Sequence, residues 1–376
     1  MKKILFLTND LSLQKGGQEL ANIFLLNNLN NKFNFTIVNQ QFFEETFNYQ
    51  KIKFDYNIDF RNGFLRGFLK LIKTLIKLNK KNFDLILISA TPFSTLLFIF
   101  IISIFRFFRN KKIIHFCHID PLSSIFKASR IPFILYPLGL FLYRRFDKIV
   151  ITNPDMGKSF QKYYFVKKEK LILIPYSLRN NFEKLIKEKP EKKLPKGINI
   201  LTITRLETDQ KDPVTLFKAF ALVREKIKNG NLIICGVGPK EEFLKNLAKN
   251  LGIEKNVYFF GFVKNPLSIL KQSDIFVLSS KSEETPVVLI EALGVGKPII
   301  ATNCPVGPRW VLDEGKAGVL VPVGDEKKMT EAIVDLIQNP KKAKFLSKQA
   351  LKRARLFYPE LITNKWKFLL NSISQR

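Results

Sequence analysis

The segment of the chain that decides the fold is SSKSEETPVVLIEALGVGKP, residues 279–298. It follows a short run of strand-forming residues, Ile275-Phe276-Val277-Leu278, and its apolar second half has the composition of a buried helix. Pro286 suits the first turn of that helix, where its missing N–H leaves no hydrogen bond unmade. The amides of Thr285 and Val287 then lie at the positive end of the helix, a seat for phosphate oxygens. We therefore predict a strand–loop–helix unit that binds phosphate.

Two glutamates in this segment are candidate ligand-binding residues. Glu283 lies in the loop and Glu291 in the helix, so both side chains could face one crevice and contact different parts of a ligand. Carboxylates repel phosphates, but they accept hydrogen bonds from the hydroxyl groups of a sugar or a ribose. An isolated pair of this kind is more often a solvated loop charge and a helix-face charge. Together with the phosphate seat, the pair indicates a nucleotide-sugar pocket.

The segment TRLETDQKDP, residues 204–213, supplies candidate cations for the same pocket. It begins where the predicted strand Ile198–Thr204 ends, at the edge where ligands bind in open parallel sheets. Transfer of a sugar from a nucleotide releases a diphosphate, and positive side chains stabilise that charge. Arg205 and Lys211 are the candidates for this role, although either alone, among 62 lysines and arginines, would more often be a surface charge.

A metal ion could do the same work, but the sequence offers no pattern for one. No D-x-D tripeptide occurs, and no Asp, Glu or His residues stand at metal-ligand spacing. The three cysteines, Cys117, Cys235 and Cys304, are widely separated, and we interpret each as a packed, reduced thiol. We therefore expect neither a metal nor another cofactor.

Two further candidate sites precede the pocket in the chain. Gly16 and Gly17 lie between the predicted strand Lys3–Thr8 and the helix that follows, and glycine lets the backbone come close to a phosphate or a sugar. His115 and His118 alternate with apolar residues along another predicted strand. We interpret His115 as a core histidine, whereas His118 falls at the end of the strand, where ligand contact is favoured.

These motifs resemble those of glycosyltransferase family 4, most strongly over residues 198–340. Residues 279–298 are similar to the family's E-x7-E motif, with Glu284-Thr285 in place of the usual glycine and aromatic residue. Residues 204–213 look like the family's G-R-L…K-G/D signature, and Gly16-Gly17-Gln18-Glu19 looks like its G-G-A-E.

Two downstream segments look like the motifs of one branch of that family. Residues 302–308 are similar to the branch motif C-P-x-G-P, and residues 318–325 are similar to G-x-L-V-P-x-G-D. Members of this branch often assemble surface or protein-linked glycans on polyprenyl-diphosphate carriers, commonly from UDP-sugars. The resemblance therefore implies a nucleotide-sugar donor and a lipid-linked saccharide acceptor.

The resemblance also implies the fold and the roles of the candidate residues. The implied fold class is α/β, namely GT-B, with two Rossmann-like doubly wound parallel-sheet domains facing a central cleft. Glu283 would bind hydroxyls of the donor sugar and His118 the reacting sugar, in a metal-independent transfer that retains the anomeric configuration. Glu291 would bind the ribose. The remaining candidates bind the diphosphate (Arg205, Lys211) or other parts of the donor (Gly16, Gly17, Val263, Thr285, Pro286, Val287).

The alternation of strand and helix patterns predicts two domains, as expected for a chain of 376 residues. Residues 1–180 form the predicted acceptor-binding domain, residues 181–197 a charged linker and residues 198–355 the nucleotide-sugar-binding domain. The resemblance implies that a helix in residues 356–376 crosses back to the first domain. Besides those named above, the predicted strands are Phe35–Asn39, Asp84–Ser89, Lys112–Cys117, Lys148–Thr152, Leu232–Cys235, Val257–Phe260 and Pro298–Thr302.

The net charge of +30 implies an anionic partner. No nucleic-acid-binding module or arginine-rich arm is recognisable, so we expect no nucleic acid. Lysines interleaved with Phe, Ile and Leu are typical of a face that rests on an anionic membrane surface, although a general compositional bias is the alternative explanation. We therefore expect a peripheral protein on the cytoplasmic face of the membrane.

Two predicted helices bear on this expectation. The helix Phe64–Lys81 has a basic side and an apolar side; it either packs on the sheet or lies at a lipid interface. The apolar stretch Phe93–Phe105 is shorter than the roughly 20 residues that span a bilayer. The apolar side of the first helix consists of Leu65, Phe68, Leu69, Ile72, Leu75 and Ile76.

We predict a retaining glycosyltransferase that uses a nucleotide sugar as its donor, and the preferred donor in this hypothesis is a UDP-sugar. One alternative is a sugar-nucleotide epimerase or phosphorylase of the same fold, for which the sequence offers no assignable hydrolytic carboxylate or cofactor lysine. A second alternative is a non-catalytic basic protein that binds membranes or nucleic acid; it would explain the charge but not the clustered site residues.

Overall fold

A computed structural model describes most of the chain and divides it into two compact units. Unit 1 comprises Met1–Tyr176 together with Glu360–Arg376, and unit 2 comprises Ser177–Pro359. The described residues are 1–9, 17–41, 55–60, 63–105, 107–108, 110–120, 139–207 and 210–373.

Unit 1 is built on a seven-stranded sheet in which every neighbouring pair of strands is parallel. Its order is β3-β2-β1-β4-β5-β6-β7. The central strands are buried on both faces, which is why their sequences are continuously apolar. The strands are β1 (Lys2–Asn9), β2 (Phe33–Gln41), β3 (Tyr56–Asp59), β4 (Leu85–Ser89), β5 (Lys112–Phe116), β6 (Lys148–Ile151) and β7 (Leu171–Leu173).

These bounds confirm the predicted strands of the first half of the chain to within one or two residues. The two edge strands, β3 and β7, were not predicted, because they are short and show little alternation of apolar and polar residues. The helices of this part are α1 (Gly17–Leu29), α2 (Phe64–Asn79), α3 (Pro92–Ile104) and α4 (Pro154–Tyr164).

Helix α2 packs on unit 1 through a different set of residues from the one that we predicted. Leu71, Leu75 and Leu78 are completely buried, and their spacing places them on one face. Of the predicted apolar side, only Leu75 belongs to this buried face. The apolar residues of α2 thus extend around more of the helix than the part that packs on the rest of unit 1. The predicted basic side is exposed as expected: Arg66, Lys70, Lys73, Lys77 and Lys80.

Unit 2 has a six-stranded sheet, again parallel throughout, in the order β10-β9-β8-β11-β12-β13. The predicted strands of the second half are confirmed, and β13 was not predicted. The strands are β8 (Ile198–Ile203), β9 (Gly230–Cys235), β10 (Val257–Gly261), β11 (Ile275–Leu278), β12 (Ile299–Thr302) and β13 (Val319–Val321).

The helices of unit 2 enclose an apolar core that includes Phe217, Val277 and Ile333. Asp212 caps the helix that follows β8 by accepting hydrogen bonds from the amide and the hydroxyl of Thr215. The helices are α5 (Phe182–Leu185), α6 (Pro213–Lys226), α7 (Glu241–Asn250), α8 (Pro266–Gln272), α9 (Val287–Val295), α10 (Gly307–Val311), α11 (Glu326–Gln338) and α12 (Pro340–Ala354).

Residues 181–197, which we predicted as a linker, pack on unit 2. The side-chain amide of Asn265 donates hydrogen bonds to the carbonyl of Leu185 at 2.9 Å and to the carboxylate of Glu188 at 2.8 Å. Lys192 donates to the carbonyl of Phe260 at 2.6 Å. The charged composition of this segment therefore reflects a solvated surface strap rather than a free tether.

The last helix, α13 (Pro359–Ser372), lies almost entirely in unit 1. Its Trp366 is 2% exposed and packs edge-on against Phe116 of β5, with ring centroids 4.8 Å apart. Lys2 of β1 donates to the carbonyl of Asn371 near the end of the helix. No helix within the described residues combines the length and the apolar character needed to cross a bilayer.

Candidate functional site

The centre of the candidate site is the carboxylate of Glu283, which follows β11 in unit 2. Its side chain is 8% exposed. Its Oε1 atom accepts hydrogen bonds from Lys211 Nζ at 2.7 Å and from Ser280 Oγ at 2.6 Å. Because both bonds use the same oxygen, Oε2 has no partner among the described residues and is available to a ligand hydroxyl.

The loops after β8 and β11 are tied together around this ion pair. The amide of Lys281 donates to the carbonyl of Gln210 at 2.8 Å, and Gln210 Nε2 donates to the carbonyl of Ser282 at 3.1 Å. Ser279 Oγ donates to the carbonyl of Lys211 at 3.0 Å. Since β8 and β11 are neighbours in the sheet, the structure brings together two candidate residues, Lys211 and Glu283, that are 72 positions apart.

The segment similar to C-P-x-G-P supports the loop of Glu283 from the other side. Glu283 forms an isolated parallel bridge with Val306, and the amide of Gly307 donates to the carbonyl of Glu283 at 3.3 Å. A Cβ atom on Gly307 would lie 2.2 Å from the backbone oxygen of Glu284 and 2.7 Å from Pro286 Cδ. Any side chain at this position would therefore displace the loop, so the glycine is needed for the backbones to approach.

Helix α9 begins immediately after Pro286, rather than including it as we predicted. Pro286 is extended, with ψ of 106°, and its carbonyl accepts the amide of Leu289 at 3.0 Å. The amides of Val287 and Val288 come first in the helix, where no preceding helical carbonyl can accept them. The backbone N–H of Val287, which we predicted to bind phosphate, therefore lies at the positive end of the helix. Thr285 is buried beside it.

The second candidate carboxylate, Glu291, is paired with an arginine that the sequence reading missed. Glu291 is 4% exposed, and its Oε1 accepts a hydrogen bond from Arg179 Nε at 2.7 Å. Arg179 comes from the start of unit 2, 112 positions earlier. No motif marks it, because the contact depends on the tertiary fold alone.

Each site glutamate thus has its own cation, and this changes the electrostatics of the site. The pairs Lys211–Glu283 and Arg179–Glu291 each have an N–O distance of 2.7 Å. An isolated carboxylate would repel a diphosphate, but a paired one contributes little net charge. The site is therefore compatible with both phosphate and hydroxyl groups.

Arg205 is held loosely at the same edge of the sheet. Its side chain is half exposed, 3.6 Å from Glu207 and 3.5 Å from Gln210. Contacts of this length and exposure contribute little stability, so the guanidinium can turn towards a ligand. Among the described residues, Arg205 makes no hydrogen bond or ion pair with Lys211 or Glu283.

Two glycines after β9 fix the backbone that carries Arg205. A Cβ atom on Gly236, which has φ of 144°, would lie 1.7 Å from the carbonyl oxygen of Thr204. A Cβ atom on Gly238 would lie 2.6 Å from the carbonyl oxygen of Leu206. The amide of Gly236 also donates to the carbonyl of Gly261, so the loops after β8, β9 and β10 interlock.

Val263 follows β10 in this group of loops and is 7% exposed. Its neighbour Phe262 is 59% exposed. The residues that we predicted in unit 2 therefore lie on loops or at a helix start at the carboxyl edge of one sheet, except Glu291, which lies in the middle of α9. The structure joins Lys211 to Glu283 by an ion pair. No hydrogen bond or ion pair between described residues links Arg205, Val263 or Glu291 to that pair.

His118 of unit 1 is part of a buried chain of hydrogen bonds. His118 Nε2 lies 2.7 Å from Ser89 Oγ, and Nδ1 lies 3.0 Å from the hydroxyl of Tyr176. Ser89 donates its only hydrogen to Asn22 Oδ1, so it must accept from Nε2–H of His118. Nδ1 of the neutral ring then accepts from Tyr176, and Asn22 donates onward to Thr8.

Burial keeps this histidine neutral. Desolvation, and then the neighbouring His115, hold the pKa of His118 well below its usual range. Because both ring nitrogens are occupied, the side chain has no hydrogen-bonding atom left for a ligand in this arrangement. The structure thus presents His118 as the middle of a rigid polar chain across the ends of β1, β4, β5 and β7.

The remaining candidates of unit 1 are His115 and the two glycines before α1. His115 is 1% exposed, which confirms it as a core histidine, and burial lowers its pKa to about 4. Gly17 is the first residue of α1, whereas Gly16 lies outside the described residues. Among the described residues, no three His, Cys, Asp or Glu side chains cluster closely enough to hold a metal ion.

Two parallel sheets with polar loops at their carboxyl edges define a doubly wound α/β protein, and a solved structure identifies the fold further. The crystal structure of HepE from Anabaena in complex with UDP superimposes with a TM-score of 0.76 at 18% identity, covering 99% of this chain and 100% of that one. The protein therefore has the predicted GT-B fold.

Sequence comparisons find similar proteins over parts of the chain. Residues 183–353 match the family model described as glycosyl transferases group 1. An uncharacterized glycosyltransferase of Methanocaldococcus jannaschii is 29% identical over 302 residues, which are 71% of this chain and 73% of that protein. Over these ranges the chain is similar to group 1 glycosyltransferases.

A further relative has a defined activity in its name. It is the N-acetylgalactosamine-N,N'-diacetylbacillosaminyl-diphospho-undecaprenol 4-alpha-N-acetylgalactosaminyltransferase of Campylobacter jejuni, which is 29% identical over 158 residues. The match spans 42% of this chain and 42% of that protein.

Proposed function

We propose that this protein is a retaining, metal-independent glycosyltransferase that moves a sugar from a UDP-sugar to a lipid-linked saccharide or another glycan. The observation that carries the proposal is the ion pair of Lys211 and Glu283 between two interlocked loops, next to the amino end of α9. This arrangement offers a cation and amides to a diphosphate, and a free carboxylate oxygen to a sugar hydroxyl, within one site.

The proposed roles follow from these positions. Lys211 and Arg205 neutralise the departing diphosphate, together with the amides of Thr285 and Val287 at the helix end. Glu283 binds hydroxyls of the donor sugar through its unoccupied Oε2 atom.

Other groups bind the rest of the donor. Glu291, oriented by Arg179, accepts hydrogen bonds from the ribose hydroxyls. The backbone near Val263 borders the base, and Pro286 sets the extended entry to α9. Gly16 and Gly17 allow a close approach of backbone and donor in unit 1.

His118 acts in this proposal as a neutral group at the reacting sugar, and the chain of hydrogen bonds from Tyr176 to Thr8 holds it in place. Direct contact between its ring and the sugar requires one of its two hydrogen bonds to open. That chain also fixes the orientation of the neighbouring polar side chains, so the surroundings of the ring are pre-organised.

The donor and acceptor classes rest on the relatives. The similar fold of HepE was determined with UDP, which supports UDP as the nucleotide. The Campylobacter relative is named for a diphospho-undecaprenol substrate, which supports an acceptor of the polyprenyl-diphosphate class. Such acceptors reside in membranes, so we place the protein on the cytoplasmic face of the membrane as a peripheral protein, in keeping with its net charge of +30.

The direct test is UDP release from a panel of UDP-sugars, with and without a membrane lipid extract. Release that needs one particular sugar together with the lipid is the expected result, and it should persist in the presence of EDTA. The anomeric configuration of the product, read by NMR, tests retention.

Two variants make this test specific. Glu283→Ala should abolish the lipid-dependent release, whereas Glu242→Ala, a change of an exposed glutamate in the same unit, should leave it intact. Equal loss in both variants, or no release from any UDP-sugar, would contradict the proposal.

A further inference from the structure

Helices α2 and α3 of unit 1 each carry a second apolar stripe that does not face the core. On α2 the stripe consists of Leu65, Leu69, Ile72 and Ile76, which follow one another at helical spacing. Leu65 is 71% exposed, Leu69 50% and Ile76 45%. The core face of the same helix, by contrast, is completely buried.

The stripe of α3 repeats the same spacing with Phe93, Leu97, Phe100 and Ile104. Phe93 is 43% exposed and Ile104 is 56% exposed. An ordinary surface helix hides its large apolar residues, so two adjacent helices with this pattern are unusual for a surface that faces only water.

The two stripes belong to one surface. In the order β3-β2-β1-β4-β5, the connection through α2 runs from β3 to β4 and the connection through α3 runs from β4 to β5, in the same direction across the sheet. Right-handed crossovers therefore place both helices on the same side of the sheet. The ring of Phe64 joins them, because its centroid lies 6.5 Å from that of Phe93.

Basic residues flank this apolar face. Arg66, Lys70, Lys73 and Lys77 form the neighbouring stripe of α2, and none of them makes an ion pair with another described residue. Between residues 60 and 119 the sequence has eleven lysines and arginines but a single acidic residue, Asp84. A protein partner of ordinary composition would leave these cations unmatched, whereas an anionic lipid surface matches both stripes.

We infer that the apolar face, defined as the exposed stripes of α2 and α3, inserts into an anionic membrane with the α2 lysines at the headgroups. The inference deepens the proposed membrane location, and that location is the one part of the proposed function on which it rests. It names the side of unit 1 that meets the lipid, and it does not depend on transfer activity.

The test is co-sedimentation of the full chain with vesicles of phosphatidylcholine, with and without phosphatidylglycerol. Wild-type protein should bind the anionic vesicles tightly and the neutral ones weakly. Leu65→Ser/Leu69→Ser/Ile76→Ser should weaken binding to the anionic vesicles by at least about tenfold, because apolar insertion is lost. Lys70→Gln/Lys73→Gln/Lys77→Gln should weaken it on the order of a hundredfold, at about fivefold for each lysine.

Matched variants of unit 2 serve as controls. Phe243 and Phe345 are also exposed, so Phe243→Ser/Phe345→Ser changes apolar surface elsewhere without affecting the proposed face. Lys341→Gln/Lys344→Gln/Lys348→Gln removes the same charge from α12. Both controls should bind vesicles within about twofold of wild type, as expected for residues outside the contact.

Several results would overturn the inference. Wild-type protein that ignores anionic vesicles, or controls that lose as much binding as the α2 variants, would refute a lipid contact at this face. Sedimentation velocity that shows a dimer abolished by Leu65→Ser/Leu69→Ser/Ile76→Ser would assign the face to a second copy of the chain instead. UDP binding without vesicles, measured on the same variants, reports separately on the donor site, so its failure is distinguishable from loss of membrane binding.

Discussion

The pairing of Arg179 with Glu291 yields the most quantitative prediction. The side chain of Glu291 is 5% exposed and that of Arg179 is 31% exposed, and the two are joined at an N–O distance of 2.7 Å. Removing one partner of a fully buried pair costs about 3–5 kcal/mol, because a charge is left without compensation. Arg179 is partly solvated, so water replaces part of its role, and we expect Arg179→Ala to lower the free energy of unfolding by about 2 kcal/mol.

Calorimetry measures this effect directly. For a unit of this size, about 2 kcal/mol corresponds to a decrease in Tm of ~4–8 °C. Arg309→Ala is the matched control, because Arg309 pairs with Glu314 at 3.1 Å where both side chains are more than half exposed. That variant should change the free energy of unfolding by less than about 0.5 kcal/mol.

A double-mutant cycle separates stability from ligand binding. In Arg179→Ala/Glu291→Gln no unpaired charge remains, so much of the lost stability should return. Affinity for UDP should stay low in both Glu291→Gln and the double variant if Glu291 binds the ribose. The reasoning is refuted if Arg179→Ala and Arg309→Ala shift the Tm equally, or if the cycle shows no coupling between Arg179 and Glu291.

Three further predictions concern the remaining parts of the two units. Gly307→Ala should lower the affinity for UDP at least about tenfold, because the added Cβ would lie 2.2 Å from the backbone oxygen of Glu284 and displace the loop. Calorimetric titration measures this affinity, and a normal value would contradict the role of the loop. Lys211→Met should lower kcat for UDP release on the order of a hundredfold, whereas Lys218→Met, an exposed lysine of α6, should not. The pKa of His115 is lowered to about 4, so the unfolded chain binds a proton between about pH 6.5 and 4 that the folded chain does not. Stability should therefore be full above pH 6.5 and fall by about 3 kcal/mol towards pH 4, and urea unfolding of His115→Phe should show a shallower decline.

Strands and helices of the second half were predictable because local and tertiary preferences agree there. Strand β11 has the predicted bounds, Ile275–Leu278, and the apolar second half of the segment that follows it forms the predicted helix. Asp212 caps α6, since its side chain can accept a hydrogen bond from the amide three residues on where the chain enters a helix. Short edge strands such as β3 and β7 carry no such signal, because half of their surroundings are solvent.

The exposed apolar stripe of α2 shows where periodicity stops being informative. Its sequence has apolar residues over more than half of the helix circumference, and no local rule chooses which part faces the core. The sheet buries Leu71 and Leu78, which the sequence reading left out, and exposes Leu65 and Leu69, which it included.

The sequence by itself determined the alternating α/β architecture, the division into two similar units and the types of residue at the site. Hydrophobic runs, caps and the Glu283 segment are local features, and local physical preferences are enough to recognise them. The tertiary structure alone decided that Lys211 meets Glu283, that Arg179 neutralises Glu291 and that His118 is locked between Ser89 and Tyr176. These contacts join residues from 29 to 112 positions apart, and only the packing of parallel strands brings such side chains to one edge.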